Sequence, residues 1–190
     1  LFDLSKPDAP EWVTRNLGAT QDGAMESASL AFAKSGVALR ARGVTREFVR
    51  LDLSGAGHLR VLAVLEENAS LTLVETQQND TAELRNIGVE FILETGAKLD
   101  HVRLAPNAEQ SVQVESIVVN VAKDAAYRAH FANFGAKLSR TDVNVKLQGE
   151  GAHAELSGVS VLANGHADVT THVEHALGNT HSTQVFKYVA

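Results

Sequence analysis

The chain contains no cysteine, which removes disulfides, thiolate nucleophiles and every Cys-based zinc or iron-sulfur site at once. A bound metal would have to come to His, Asp or Glu. Proline occurs three times and tryptophan once, and only Trp12, Tyr127, Tyr188 and seven Phe supply aromatic rings. A stacking groove for sugars or bases is therefore thinly provisioned. No apolar run approaches the roughly 20 residues that span a bilayer, and the first residues lack the basic and apolar regions of a secretory signal. The expectation is a soluble, cytoplasmic chain that has been trimmed, since it opens at Leu1. With a net charge of -6 and no dense run of Lys or Arg, a phosphate backbone has no electrostatic footprint to meet, and nucleic acid is disfavoured.

What is present is a repeat. The stretch Gly149-Glu150-Gly151-Ala152-His153-Ala154-Glu155-Leu156-Ser157-Gly158 pairs residues suited to a left-handed turn with an alternating run. The same unit recurs from Asn68, Gly96 and Asp124, and more loosely from Asn179, so that Asn68, Gly96, Asp124, Gly151 and Asn179 are spaced 28, 28, 27 and 28 apart. A fixed period of this size marks a stacked repeat. A second set of turns is expected halfway, near Gly57, Asp80, Asn107, Gly135 and Gly165. Two turns per period leave about 14 residues for each strand with its corner. That predicts a mainly β chain, a right-handed parallel β-helix of two-sheeted coils over 36–190. Residues 1–35 are expected to form an N-terminal extended and helical segment. Within it, 1–22 lie over the end of the main body, one short helix runs from Met25 to Lys34, and Gly36 stops it.

Equivalent positions can be aligned in columns. Ala69, Ala97, Ala125, Ala152 and Thr180 form one; Leu71, Leu99, Tyr127, Ala154 and Ser182 form the next inward one, and Leu73, His101, Ala129, Leu156 and Gln184 another. Thr72, Asp100, Arg128, Glu155 and Thr183 are all polar and face outward. Ser182 and Gln184 in inward columns mean either a wetter last coil or a shifted register.

Five of the eight histidines follow residue 150. His166, Asp168, His172 and His175 are the candidate metal ligands, because His166-Ala167-Asp168 has the His-x-Asp spacing of facial-triad iron sites. On a regular strand His172 and His175 point to opposite faces, so a bulge would be needed. His153 and His181 share an outward column on adjacent coils and are the candidate interaction residues. His101 reads as a core histidine bonded to a neighbouring strand. The pairs Glu66-Glu67, Glu90 with Glu94, and Lys123-Asp124 read as solvated edges. No P-loop, G-x-S-x-G or dinucleotide fingerprint is present.

Phe32-Ala33-Lys34-Ser35-Gly36-Val37 with Gly43-Val44 resembles the helix-to-strand entry of the SufB/SufD scaffold family of iron-sulfur cluster assembly. The run from Gly135 to Lys187, with Glu174-His175 and Ser182-Thr183-Gln184-Val185-Phe186-Lys187 as its most telling words, is similar to the same family's β-helix pattern. The lack of Cys points to SufD rather than SufB. The resemblance implies a non-enzymatic, cytoplasmic scaffold that pairs with SufB and binds the SufC ATPase in a SufBCD complex. That complex handles an iron-sulfur cluster, and ATP on SufC, while no cofactor is bound by this chain itself. Family members continue beyond Tyr188-Val189-Ala190 through further coils and a helical domain that docks SufC. None of the eight histidines matches the family's interface histidine, so no site residue is carried over. The expectation is a truncated SufD-like core whose open end allows a homodimer. Two rivals are a polysaccharide-acting enzyme on a β-helix and a metalloenzyme ligated by His166, Asp168, His172 and His175.

Overall fold

A computed structural model describes residues 1–19 and 23–190. The last three residues of the expected 1–22 segment therefore lie outside the described residues. After β1 (Phe2–Asp3), α1 (Glu11–Asn16) and α2 (Ala24–Phe32), the chain is all strand: β2 (Ser35–Ala41), β3 (Val49–Ser54), β4 (Gly57–Leu65), β5 (Ser70–Gln78), β6 (Leu84–Leu93), β7 (Lys98–Pro106), β8 (Val112–Val121), β9 (Ala126–Phe134), β10 (Leu138–Leu147), β11 (His153–Val161), β12 (His166–His175) and β13 (His181–Val189). Alternate strands go to alternate sheets. One sheet runs β1-β2-β4-β6-β8-β10-β12 and the other β13-β11-β9-β7-β5-β3. All pairings are parallel except β1 with β2. The result is the expected β-solenoid, of about six turns.

The corners explain the period. Asn68, Gly96, Asp124, Gly151 and Asn179 all take positive φ, between 55° and 74°. This conformation is cheap only for Gly, Asn and Asp. Each of the first four turns closes with a backbone bond such as Ala69 N–H to the Glu66 carbonyl (2.9 Å) or Ala97 N–H to that of Glu94 (3.0 Å), and at the fifth the Thr180 hydroxyl donates to the Leu177 carbonyl (3.1 Å). The residue after each of the first four corners is a fully buried alanine, because the inside of so tight a bend admits little else. Glycines alternate with side chains down the column: a Cβ on Gly96 would lie 2.3 Å from Asn68 Oδ1, and one on Gly151 2.2 Å from Asp124 Oδ1. The wide corners are less uniform. Gly57, Gly135 and Gly165 have positive φ as expected, but Asp80 and Asn107 do not. There the side chains do the work, and Asn107 Oδ1 accepts the Asn79 N–H at 3.2 Å.

Register follows the columns throughout. Ser70 pairs with Lys98, Lys98 with Ala126, Ala126 with His153, and His153 with His181. Leu71, Leu99, Tyr127, Ala154, Leu73 and Leu156 point into one core with Val61, Val89, Ile117 and Val143 from the facing sheet. Each fully buried Leu or Val contributes about 2 kcal/mol relative to exposure. The last coil keeps this register, so its polar inward residues are a real change of environment and not a slip. There Thr171 Oγ1 donates to Gln184 Oε1 (2.5 Å), and His175 shares hydrogen bonds with Thr180 Oγ1 (2.7 Å) and Ser182 Oγ (3.1 Å).

The N-terminal segment departs from expectation in several ways. It contains a second helix, α1, which sets Val13 against Ala38, Leu62 and Val64 on the outer face of the seven-stranded sheet. Among the described residues of 1–22, β1 and Leu4, whose N–H donates to the Gly36 carbonyl at 3.0 Å, lie along the edge of β2 at the end of the solenoid. Gly36 stops no helix, since α2 ends at Phe32 and Gly36 lies within β2. Finally, α2 buries Glu26 and Ser29 rather than its apolar residues.

Close approach between coils yields a stability test. A Cβ on Gly149 would lie 2.2 Å from the Lys123 nitrogen and 2.4 Å from its Cα, which are backbone atoms of the preceding coil. Gly149→Ala is expected to cost about 2 kcal/mol or more by overpacking, read as a lower urea midpoint at unchanged slope.

Candidate functional site

Strand β12 carries the four residues singled out as metal ligands and spreads them along its length. His166 pairs with Leu138, Asp168 with Arg140, His172 with Asn144 and His175 with Leu147. No bulge interrupts this register. His166, Asp168 and His172 therefore share the outer face, while His175 points inward, as alternation requires. Six residues separate His166 from His172, roughly 20 Å along a strand. Asp168 faces Arg140 at 3.8 Å. Among the described residues no group of three or more His, Asp or Glu side chains is placed to hold a metal ion. His153 and His181, by contrast, are brought together on the outer face of the six-stranded sheet, with ring centroids 5.3 Å apart and planes 17° from parallel.

The densest chemistry lies where the columns did not lead. Between the two sheets, opposite the tight corners, runs a buried polar spine. His101 is fully enclosed, as expected of a core histidine. Its Nδ1 shares a hydrogen bond with the Tyr127 hydroxyl (3.1 Å), and its Nε2 faces Glu75 Oε2 (3.3 Å). The rings of Phe91 and Phe131 stand edge-on to it at 5.0 and 5.9 Å. The Gln77 side-chain amide donates to both Glu75 and Glu115 and accepts from Gln113 Nε2 at 2.6 Å. Arg103 pairs with Glu115 (2.8 Å), donates to Thr141 Oγ1 (2.8 Å) and to Asn133 Oδ1, and lies 5.3 Å over the Phe131 ring. Asn133 then donates to Ser160 Oγ at 3.0 Å. The chain of contacts passes through four strands of one sheet and two of the other, with every member at most 3% exposed.

Two carboxyl groups bridged by one amide cannot be equally ionised in a dry interior. Burial pushes the Glu75 carboxyl up, but the hydrogen bond and charge of His101, the Gln77 amide and the Arg103 charge outweigh it, and the net direction is down. For Glu115 burial wins, and with the nearby Glu75 charge it raises the group despite Arg103. The Tyr127 hydroxyl is pushed well above its ordinary value by burial and by both carboxylates. This arrangement resembles acid-base machinery, yet no reactant reaches it without opening a coil. What it does as it stands is fix the interior: Glu75 meets His101 and Glu115 meets Arg103, partners that only the stacked coils supply.

A second buried cluster pins α2. Arg60 pairs with Glu90 and donates to Ser29 Oγ at 2.8 Å, while the Gly18 N–H donates to Glu90 Oε1 at 2.8 Å. Glu90 is thus fully buried and not the solvated edge expected beside Glu94. Glu66 does lie at a surface edge, paired with Arg40 and Arg42. Glu75, Arg103 and Glu115 escaped sequence reasoning altogether. Their one signal was charge at inward parity, in strands that otherwise alternate cleanly.

These features define a class: a parallel solenoid with a sealed polar interior and mixed outer faces. Over residues 50–190 the sequence matches the family described as "SUF system FeS cluster assembly, SufBD core domain". The chain therefore belongs to the SufBD core family. It is 30% identical over 132 residues to an iron-sulfur cluster assembly SufBD family protein of Synechocystis, covering 64% of this chain and 29% of that protein. It is 32% identical over 100 residues to a SufBD family protein of Mycobacterium leprae, covering 52% of this chain and 26% of the relative. The matched stretch spans less than a third of either relative.

The spine makes stability pH-dependent in a directed way. Glu75 lies below the ordinary 4.5 in the fold, so its contribution is present above that value and is lost as pH falls. Glu115 lies above it, so its contribution is present below 4.5 and is lost as pH rises through its raised value. Glu75→Gln is expected to flatten the fall in urea stability on acidification below 4.5 while leaving the β-sheet spectrum unchanged.

Proposed function

We propose that this chain is the solenoid core of a SufD-type scaffold subunit, which supports iron-sulfur cluster formation and transfer without catalysing a reaction of its own. The observation that carries the reading is the family match across residues 50–190. Two features of the chain support it. With no cysteine among its 190 residues, it offers no thiolate of the kind that holds such clusters, which favours the SufD side of the family over the SufB side. Its buried ion pairs stiffen the coils while its exposed faces stay mixed in sign, as suits a platform for other proteins.

In this reading the parent protein pairs with a SufB-type subunit and engages a SufC-type ATPase in the cytoplasm. The cluster and ATP are cargo and fuel of that complex. Among the described residues, strands β12 and β13 are each paired on one side, and such edges invite a further strand. For residues 1–190 alone a second copy of the chain is the partner at that edge. No helix among the described residues is long and apolar enough to cross a membrane. The metalloenzyme alternative needs His166, Asp168, His172 and His175 to converge, and β12 holds them apart.

The reading is tested by co-expressing the tagged full-length parent with SufB- and SufC-type proteins of the same source and capturing the complex. Recovery of both in fixed ratio is expected. Recovery of neither, from soluble and folded proteins, would remove the scaffold reading.

A further inference from the structure

The first residues of β11 and β13, His153 and His181, are direct Cα partners in the parallel ladder, and their imidazoles lie face to face at 5.3 Å. We propose that they form a two-imidazole site for a divalent transition-metal ion such as zinc, completed by water.

Three observations carry this. Both side chains leave the same face of adjacent strands, so their ring nitrogens can converge by side-chain rotation with the backbone held still. Two nitrogens on one zinc stand roughly 3.3 Å apart at bond lengths near 2.05 Å, which neighbouring strands accommodate. Secondly, Glu155 Oε1 holds His153 Nε2 at 2.8 Å, and among the described residues Nδ1 has no protein hydrogen-bond partner. A carboxylate on the far nitrogen is the arrangement that orients a metal-binding histidine and raises its basicity. Neither ring nitrogen of His181 has a protein hydrogen-bond partner among the described residues. Thirdly, the next residue in the column is Ala126, small and uncharged, and Lys98 follows one rung further along the ladder. Arg128, outward on the same face, is paired with Asp100 at 2.6 Å.

The donor set defines the ligand. Imidazole suits zinc, copper, nickel and ferrous iron, and disfavours magnesium and calcium. With two protein ligands the remaining positions stay open to water or to a donor from another protein. The site stands on its own geometry and does not depend on the function proposed above.

The test is calorimetric titration of metal-free protein with zinc chloride, in two buffers of different ionisation heat. One saturable site is expected. His153→Ala and His181→Ala should each weaken it by about tenfold or more, Glu155→Gln by less, and His166→Ala on the other sheet not at all. Because the ligating imidazoles must be neutral, the apparent heat should differ between buffers and binding should weaken in acid. All four side chains are on the surface, so each variant should keep the parent's urea midpoint. Absence of a saturable site, unchanged binding in both His153→Ala and His181→Ala, or loss only in His166→Ala would each overturn the proposal.

Discussion

Everything in this molecule depends on closing each coil at the same place. Parallel strands cannot be joined by a hairpin, so the chain must travel to the second sheet and back before it can pair with itself. Five left-handed residues one coil apart make that return journey identical each time. Once the corner is fixed, register is fixed, and inward and outward faces follow without further choice. A one-residue slip would place Asp100, Arg128 and Glu155 in the core, a cost no surface interaction offsets.

The same constraint divides the interior in two. Beside the tight corners the space is narrow, and the chain fills it with Ala, Leu and Val. Further from them the sheets carry longer side chains, and there Glu75, Arg103, Glu115 and their partners form the spine. Buried ion pairs of this kind add little net stability over an apolar filling, but removing one partner is costly. They consequently reward the one stacking that brings the pairs together. The last coil reverses the division, with Thr171, His175, Ser182 and Gln184 beside the corner and Phe186 beyond, stacked on Phe131 at 6.4 Å. This face favours a neighbour that can exchange hydrogen bonds with it over one that is wholly apolar.

Much of this was legible from residues alone, for a definite reason. Repetition lets weak signals add, so five corners and four columns located the strands, the register and the stacked His153 and His181. Where nothing repeats, reading failed. Helix α1 is six residues long, too short for a period to show. Gly36 looked like a helix stop, but it is a strand residue whose Cβ would meet the Arg60 carbonyl at 2.1 Å. Glu90 looked solvated because the sequence does not show that α2 and Gly18 fold over it. The spine was hidden because alternation assigns charge to the outside, and Glu75, Arg103 and Glu115 sit at inward positions. His101 was placed correctly only because Leu73 and Ala129 flank it in its column. Membership of the SufBD core family was visible in the words around Gly135 to Lys187, while the finer SufD assignment still rests on the missing thiol.

The central claim is that coils stack in one register through to the last strand, even where the interior turns polar. A chain without cysteine gives a clean background for testing it. Glu155 and Thr183 are outward Cα partners on β11 and β13, and partners in adjacent parallel strands lie about 4.8 Å apart, within disulfide range. Mild oxidation of the Glu155→Cys/Thr183→Cys double variant should close an intramolecular disulfide. The Glu155→Cys/Gln184→Cys variant, whose second thiol faces the other way, should not. Efficient closure of the second pair and not the first would contradict the register and the account built on it.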